Sequence, residues 1–360
     1  MKTLKIAMIG AGNIACTHLK AYQKIKQAEV VALCDIDPVR LEMTANKFGF
    51  DAAHCYTDVD QMLAAEKELD AADVCVWNVN HATCSIAALR AGLHVICEKP
   101  MAYSAAEAQE MKREAQKAGK LLMIGFVLRF SSENAVVKDL IDAGTMGELY
   151  YSKATYLRRH GNPGGWFSNK ALSGGGPVID LGVHVIDQTR YLMGSPKPVS
   201  VYAMISHKLG DRKNLKNGVE WRPYGASDDD VCDVEDFGTA LIRYDNGAVT
   251  LLETSYDFNG ESASKKELYG TKGGILLGGS KPKLFTDIEG YLADVELSLV
   301  GLKGVGNGFD DMFVGELSHF VDCALNGTPC IATAEDGIVV MKILDAIYES
   351  ARLGREVLIK

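Results

Sequence analysis

The stretch that decides the fold runs from residue 4 to residue 25 and reads LKIAMIGAGNIACTHLKAYQKI. Its first six residues, Leu4 to Ile9, are mostly apolar and typical of a buried strand, and its last part has the spacing of an amphipathic helix. Between the two lies a glycine-rich turn of the form G-x-G-x-x-A, from Gly10 to Ala15. A strand that passes through such a turn directly into a helix predicts a dinucleotide-binding βα unit.

Each residue of this turn has a separate task in binding a dinucleotide. Gly10 allows the tight turn, Gly12 lets a pyrophosphate approach the backbone, and Ala15 allows the helix to pack closely on the strand. The N-terminus of the helix, at Asn13 and Ile14, then faces the phosphates. The alternative, a turn of this kind that binds nothing, is disfavoured by the acidic residue that follows.

That acidic residue is Asp35, which ends the second apolar run, EVVALCD, twenty residues after Ala15. A carboxylate at this position accepts hydrogen bonds from the adenosine ribose hydroxyls. Asp37 adds a second negative charge, and the first arginine after it is Arg40, so a 2′-phosphate would be repelled. The sequence therefore predicts NAD as the cofactor, with Arg40 among the residues around it.

The chain as a whole divides into two kinds of pattern. Up to residue 128, short apolar runs alternate with helical patterns, which predicts a doubly wound parallel sheet, the Rossmann fold. From residue 129 onward, longer runs joined by turns such as Asn246-Gly247 predict an α+β domain with a large, mostly antiparallel open sheet. We therefore expect an α/β protein with domains at 1–128 and 129–360, and helices from about residue 335 that pack back on the first domain.

Composition excludes several classes of protein. The 360 residues are 47% hydrophobic and carry a formal net charge of −9, which argues against sequence-independent binding of nucleic acid. We also expect no membrane association and a cytoplasmic location, because no apolar run approaches the roughly 18 residues of a membrane span and MKTLKIAMIGAG lacks a signal-peptide cleavage site. The nine cysteines are scattered without a C-x-x-C pair, so we expect reduced thiols and no metal site.

A second group of polar residues lies in SGGGPVIDLGVHVIDQTRYL, residues 173–192. Pro177 suits the first turn of a helix, and Asp180, His184 and Asp187 then share one face of it. The other positions are apolar nearly all round, and buried acids and imidazoles need partners. The pattern fits either a structural Asp–His pair in a core helix or a catalytic pair, and the flexible SGGG approach favours the catalytic pair.

The stretch HVICEKP, residues 94–100, ends a buried strand with two charged residues and a proline. With this block the chain resembles the glucose–fructose oxidoreductase/inositol dehydrogenase family, often called Gfo/Idh/MocA. The resemblance covers nearly the whole length, through the glycine turn with Asp35 and the blocks AGLHVICEKP, GGWF…SGGGPVIDLGVHVID, VEDFGTALIRYDNGA and EDGIVVMKILDAIYESARLG.

The resemblance implies hydride transfer between NAD(P) and a secondary alcohol of a sugar or cyclitol. It implies a catalytic set of Lys99, Asp180 and His184, which also contact the substrate. A histidine suits general-base work near neutrality, Asp180 would orient it, and Lys99 would stabilise alkoxide charge. The proline after Lys99 would fix an unusual local backbone, through a cis bond.

The resemblance also assigns binding roles outside the catalytic set. Sugar hydroxyls would be held by Arg129, Asn162 and Tyr256. Cofactor contacts are implied for four further residues: Asn78, His81, Glu98 and Trp166. The chain departs from the family pattern at Trp77, where relatives carry a proline, so the cofactor contacts around Asn78 and His81 can differ.

Three functions remain open. The first is a freely cycling NAD-dependent dehydrogenase of a sugar, cyclitol or glycoside, acting at the 2- or 3-position of a pyranoside or inositol ring. The second retains NAD and returns the hydride in a redox-neutral reaction. The third is a non-catalytic ligand sensor, which the intact Lys99, Asp180 and His184 disfavour.

Two expectations concern the second half of the chain. The irregular segment at 209–232 either shapes substrate choice or is a structural decoration. The helices in this half are too few to cover both faces of a large sheet, so we expect a homo-oligomer, a dimer or tetramer, formed through that sheet.

Overall fold

The computed structural model describes residues 2–219, 221–279, 281–300 and 308–360. The chain forms two compact units. Residues 1–130 and 308–338 make up the first, and residues 131–307 and 339–360 make up the second. Each unit is built on one sheet.

The sheet of the first unit has six parallel strands in the order β3-β2-β1-β4-β5-β6. The strands are β1 (Leu4–Ile9), β2 (Ala28–Cys34), β3 (Cys55–Tyr56), β4 (Ala71–Val74), β5 (His94–Glu98) and β6 (Leu122–Gly125). The order reverses between β1 and β4, and sheets of this kind bind ligands outside the carboxyl ends of their strands at such a point. The predicted doubly wound parallel sheet is confirmed.

The helices of this unit begin and end where the sequence provides caps. They are α1 (Asn13–Tyr22), α2 (Pro38–Phe48), α3 (Val59–Ala65), α4 (His81–Arg90) and α5 (Ala105–Ala118). In α2, the Asp37 carboxylate accepts the backbone N–H of Val39 at 3.0 Å, and Gly49 ends the helix with φ of +79°. Both are the residue types that these positions favour.

The sheet of the second unit has nine strands in the order β14-β13-β12-β11-β7-β10-β9-β8-β15. They are β7 (Leu149–Leu157), β8 (Pro198–Ser206), β9 (Phe237–Tyr244), β10 (Val249–Ser255), β11 (Ala263–Gly270), β12 (Gly274–Leu277), β13 (Lys283–Ile288), β14 (Tyr291–Glu296) and β15 (Val357–Leu358). The β7–β10 pair is parallel and the other pairs are antiparallel, which confirms the mostly antiparallel open sheet.

The hairpin predicted at Asn246-Gly247 joins β9 to β10, but its loop is longer than the predicted two residues. Tyr244 N–H donates to the Ala248 carbonyl at 2.9 Å, which leaves Asp245, Asn246 and Gly247 in the loop. Gly247 has φ of +85°. A glycine at the end of a three-residue loop supplies the left-handed conformation that this type of hairpin needs.

The second unit contains α6 (Ser132–Asp142), α7 (Lys170–Ser173) and α8 (Val183–Leu192), and a π-helical turn, Val178–Gly182, leads directly into α8. Helix α8 packs on β7, β10 and β11. Two helices follow in the last part of the chain, α9 (Phe309–Asn326) and α10 (Ala334–Leu353), and the second confirms that a helix begins at about residue 335. Helix α9 packs on α1 in the first unit. No helix in the described ranges has both the length and the apolar character of a membrane span.

Candidate active site

The turn after β1 requires its two glycines, Gly10 and Gly12, for different reasons. Gly10 has φ of +106°, and a Cβ there would lie 2.2 Å from the Cys75 carbonyl oxygen, so only glycine fits. A Cβ on Gly12 would meet nothing closer than Arg40 Nη1, at 4.0 Å. Gly12 also begins α1 without a side-chain cap, so it leaves the first amides of the helix available. The open space and the available amides fit a pyrophosphate group.

Asp35 is held in place by the backbone beside this turn. One carboxylate oxygen accepts the Ala11 N–H at 2.7 Å, and the other accepts the Asp37 N–H at 2.9 Å. Arg40, with its Nη2 3.9 Å from the Asp37 carboxylate, lies at the edge of the same turn. A fixed carboxylate at the end of β2 can accept from the ribose hydroxyls, and the amides at the start of α1 can donate to the pyrophosphate, as NAD requires. The residues present therefore fit this cofactor.

Glu98, at the end of β5, is buried and turns its carboxylate toward α1. Its Oε1 lies 3.2 Å from His18 Nε2, and its Oε2 accepts the Lys99 N–H at 3.0 Å. The other ring nitrogen of His18 lies 2.8 Å from Asp73 Oδ2, and His18 and Asp73 are both fully buried. Sequence reasoning missed this pair. The available signal was a polar residue at a core position of α1 together with an acid inside the apolar run ADVCVW.

The pKa of His18 is set by this environment. Burial by itself favours the neutral imidazole, but the charge and hydrogen bond of Asp73, together with Cys75, raise the pKa of His18 well above its ordinary value. This environment favours the charged imidazole, which lies between the carboxylates of Asp73 and Glu98. Its Nε2 is at ion-pair distance from Glu98, the residue immediately before Lys99.

His81 holds the turn that follows β5. The Lys99–Pro100 peptide bond is cis, as the resemblance implies. His81 Nδ1 lies 2.7 Å from the Pro100 carbonyl oxygen, and Nε2 lies 3.1 Å from that of Val76. Burial lowers the pKa of His81, which favours the neutral ring, and a neutral ring donates to only one of the two carbonyls. Direct contacts of His81 and the buried Asn78 with the cofactor stay predictions.

Arg129 lies in a short helical turn after β6 and is turned into the first unit. Its side chain is 1% exposed, it donates to the Ile331 carbonyl, and its Nη1 lies 3.1 Å from Asp336 Oδ2. The guanidinium also lies over the ring of Phe126, 5.0 Å from its centroid. Arg129 thus ties the end of β6 to the loop before α10, and its contact with a sugar hydroxyl stays a prediction.

Asp180 and His184 stand out in the segment that carries them. Of residues 178–190, all of which the structure describes, these two are half-exposed and the others are buried. Asp187, the third polar residue on the predicted face, is 1% exposed. Asp180 lies in the π-helical turn, an irregularity that is frequent at functional sites. This exposure favours the catalytic interpretation over a pair enclosed in the core.

Tyr256 positions Asp180 through a hydrogen bond. The tyrosine is fully buried and its hydroxyl donates to Asp180 Oδ2 at 3.0 Å. Burial and the charge of Asp180 raise the pKa of Tyr256 well above its ordinary value, so the phenol stays protonated and remains a donor. The position of Tyr256 fits a residue that positions Asp180, and a direct sugar contact stays a prediction.

Arg158 is a further neighbour of Asp180 that sequence reasoning missed. Burial opposes its charge, but Tyr156 and Asp180 raise the pKa of Arg158. One guanidinium nitrogen lies 3.4 Å from the Tyr156 hydroxyl. The only sequence signal was a pair of arginines at the end of an alternating run. Arg158 therefore adds a positive field beside Asp180.

Asn162 and Trp166 lie in the loop between β7 and α7. Asn162 is buried, and its Oδ1 accepts the Gly164 N–H at 3.0 Å and the Ser168 hydroxyl at 2.6 Å. Trp166 packs against Phe167 with ring centroids 3.9 Å apart. Asn162 and part of the segment 209–232 line an open cavity of about 240 Å³. The described part of that segment is irregular, as predicted, and Glu220 lies outside the described residues.

Comparisons with known proteins identify the family. Residues 4–126 match the oxidoreductase family with an NAD-binding Rossmann fold, and residues 135–276 match the GFO/IDH/MocA C-terminal domain. The chain is 34% identical over 358 residues to D-glucoside 3-dehydrogenase of Escherichia coli (strain K12), which covers 98% of this chain and 97% of that relative.

Solved structures of similar proteins share the whole fold. Levoglucosan dehydrogenase in complex with NADH and L-sorbose has a TM-score of 0.86 at 25% identity, with both chains fully covered. Aldose–aldose oxidoreductase from Caulobacter crescentus, complexed with glycerol, has a TM-score of 0.82 at 26% identity and covers 99% of this chain and 100% of its own. The chain therefore belongs to the GFO/IDH/MocA family of oxidoreductases, and its first unit is an NAD-binding Rossmann domain.

Proposed function

We propose that this protein is an NAD-dependent dehydrogenase that oxidises the secondary hydroxyl at the 3-position of a glucoside. The observation that carries the chemistry is the half-exposed pair Asp180 and His184, with Asp180 fixed by the buried Tyr256. The substrate class and ring position are supported by the similarity to D-glucoside 3-dehydrogenase along nearly the full chain.

Residues of the protein accept the proton of the substrate hydroxyl. Oxidation of a CH–OH group removes this proton from the oxygen and a hydride from the carbon that carries the hydroxyl. When bound, NAD supplies the hydride acceptor. His184 takes the proton as general base, since an imidazole titrates near neutrality. Asp180 orients that imidazole and stabilises its protonated form.

Lys99 is proposed as the residue that stabilises negative charge on the reacting oxygen. An ammonium beside a developing alkoxide acts most strongly in the transition state. The backbone of Lys99 is held by Glu98, which accepts its N–H at 3.0 Å, and the other oxygen of Glu98 lies at ion-pair distance from His18. We therefore expect Lys99→Ala to lower kcat with little change in NAD affinity.

A set of deoxy analogues tests the ring position. NADH formation is followed with methyl glucoside, its 2-deoxy and 3-deoxy analogues, and inositols, after a check for NAD that co-purifies with the protein. The 3-deoxy analogue should give no NADH, while the 2-deoxy analogue should remain a substrate. Oxidation of the 3-deoxy analogue, or of inositols alone, would contradict the proposed position.

The same experiment separates the remaining functions. Aldose–aldose oxidoreductase is a structural relative of this chain, so a redox-neutral reaction is the second candidate. Retained NAD, no free NADH with any glucoside, and oxidation of one sugar coupled to reduction of another would favour that candidate. Ligand binding without either reaction would indicate a sensor.

The catalytic assignment of His184 makes a prediction about kinetics. His184→Ala should lower kcat by roughly 10²–10⁴, because proton transfer is lost while the NAD-binding turn is untouched. A structural pair predicts a lower melting temperature with normal kcat per folded molecule. Measuring both quantities on one sample separates the two, and the exposed His54 provides a matched control as His54→Ala.

Asp180 and Tyr256 provide the companion variants. Asp180→Asn should move the rise of rate with pH to lower pH, because His184 loses the carboxylate that favours its protonated form. Tyr256→Phe removes only the hydroxyl that holds Asp180, so its effect on the pH profile should be smaller. An unchanged profile in Asp180→Asn would contradict the orienting role.

A further inference from the structure

Two cysteines and a histidine converge where α9 meets the loop before α10. His319 and Cys323 lie one turn apart on α9, with His319 Nε2 3.3 Å from Cys323 Sγ. Cys330 lies on the loop between α9 and α10, and the donor atoms of all three residues lie within 4.8 Å of one another. Cys323 is buried, while His319 and Cys330 are half-exposed. The proposed dehydrogenase reaction uses none of the three.

The geometry is suited to a metal ion. Thiolate sulfur and imidazole nitrogen are the ligands that Zn²⁺ prefers, with metal–ligand distances of about 2.0–2.3 Å. In a tetrahedral site these distances place the donor atoms roughly 3.5–3.8 Å apart. The 3.3 Å between His319 Nε2 and Cys323 Sγ is close to that spacing, and no two of the three donor atoms are more than 4.8 Å apart. The half-exposed side of the cluster leaves a fourth position that water can reach.

We propose that His319, Cys323 and Cys330 form a binding site for a thiophilic divalent ion such as Zn²⁺, with water as the fourth ligand. Coordination replaces the two thiol protons, which pass to solvent. The expectation of no metal site rested on the absence of a C-x-x-C pair. The spacing here is H-x₃-C-x₆-C, which places two ligands on a helix and the third on the loop that returns to it.

Ion binding at this site would also change the hydrogen bonding of Arg129. The Ile331 N–H donates to His319 Nε2 at 3.1 Å, so an ion on that nitrogen displaces the amide. The carbonyl of the same residue accepts a hydrogen bond from Arg129. We therefore expect the ion to raise KM for the glucoside. This second effect rests on the proposed function, whereas binding of the ion does not.

Cobalt provides a direct test of the site. The reduced protein, treated with a chelator and then freed of it, is titrated with Co²⁺ without NAD or substrate. One equivalent should produce thiolate-to-cobalt charge-transfer absorption and the intense visible bands of tetrahedral Co²⁺, and Zn²⁺ should abolish both. Absence of thiolate bands would overturn the proposal even if the dehydrogenase activity is confirmed.

Variants locate the ligands. Cys330→Ser and His319→Asn should each weaken Co²⁺ binding by no less than the roughly 10–100-fold typical of losing an outer-shell partner. Cys55→Ser, a half-exposed cysteine outside the cluster, should bind normally. Zinc should raise the melting temperature of the wild type and not that of Cys330→Ser, which keeps the test valid if a variant is destabilised. Equal loss in Cys55→Ser, or a Cys323–Cys330 disulfide in place of metal uptake, would contradict the site.

Discussion

We predict that Asp35 sets the cofactor preference through its carboxylate. Its two oxygens are held by the Ala11 and Asp37 amides, so the charge cannot turn away from a ribose phosphate. Asp35→Ser combined with Ile36→Arg should shift preference from NAD toward NADP, because repulsion is replaced by attraction. Ile36 is 67% exposed and tolerates the larger side chain. The measurement is kcat/KM with each cofactor.

Asp37→Ser is the matched control for this change. Asp37 caps α2 by accepting the Val39 N–H, and serine keeps a cap while removing the charge. The control should retain the NAD preference. A wild-type protein that uses NADP at least as well as NAD would contradict this role of Asp35.

His18 predicts a dependence of stability on pH. Its pKa in the folded state is raised above the ordinary value of 6.5, so its proton stabilises the fold fully below pH 6.5, and this stabilisation is lost as pH rises through the raised value. His18→Gln should therefore lower the free energy of unfolding most at mildly acidic pH. The difference from wild type should shrink in alkaline solution.

Urea unfolding of wild type and His18→Gln across this pH range is the measurement. His54→Gln is the control, since His54 pairs with Glu66 at the surface, where an ion pair contributes little. A difference between His18→Gln and wild type that is independent of pH would show that His18 acts by packing and not by charge.

At the scale of an element, substitutions at the two glycines of the β1–α1 turn should have different effects, one on stability and the other on NAD binding. Gly10→Ala places a methyl group against the Cys75 carbonyl and forces a left-handed backbone, so it should cost more than about 1–3 kcal/mol of stability. Gly12→Ala has open space and should fold normally, but its methyl group should weaken NAD binding. Thermal unfolding and NAD titration of both variants check this, and normal NAD affinity in Gly12→Ala would contradict it.

The elements also show where sequence patterns stop predicting structure. The parallel strands β1, β2 and β5 were predicted within a few residues, because continuous apolar runs mark strands that are covered on both faces. The two-residue strand β3 was missed, since Cys55 and Tyr56 are too few to form a pattern. The π-helical turn at Asp180 has no sequence signature, because it depends on how the helix packs on its sheet.

At the scale of the molecule, an exposed apolar patch lies on one face of the nine-stranded sheet, where β8, β9 and β10 are neighbours. Tyr202 on β8 and Leu241 on β9 pair directly across the strands and are 53% and 44% exposed. Leu251 continues the row on β10. Contiguous exposed apolar surface of this kind marks interaction sites. We expect a homo-oligomer formed through this face.

Light scattering of wild type and Leu241→Asp tests the oligomer. The variant should dissociate, because a buried unpaired carboxylate in the interface is unfavourable. Leu292→Asp, at a residue 97% exposed on β14, should leave the assembly unchanged. A wild-type particle of 39.0 kDa at micromolar concentration would contradict this prediction.

The sequence by itself determined the parallel sheet of the first unit, its cofactor and the candidates Asp180 and His184, because each rests on residues close together in the chain. Only the tertiary structure decided which residues, distant in the chain, form hydrogen bonds with one another around the site. Tyr256 is 76 residues from Asp180, and Asp73 is 55 residues from His18. Arg129 is 202 residues from Ile331. Pairs this far apart leave no periodic signal in a single sequence, since packing and strand register bring them together.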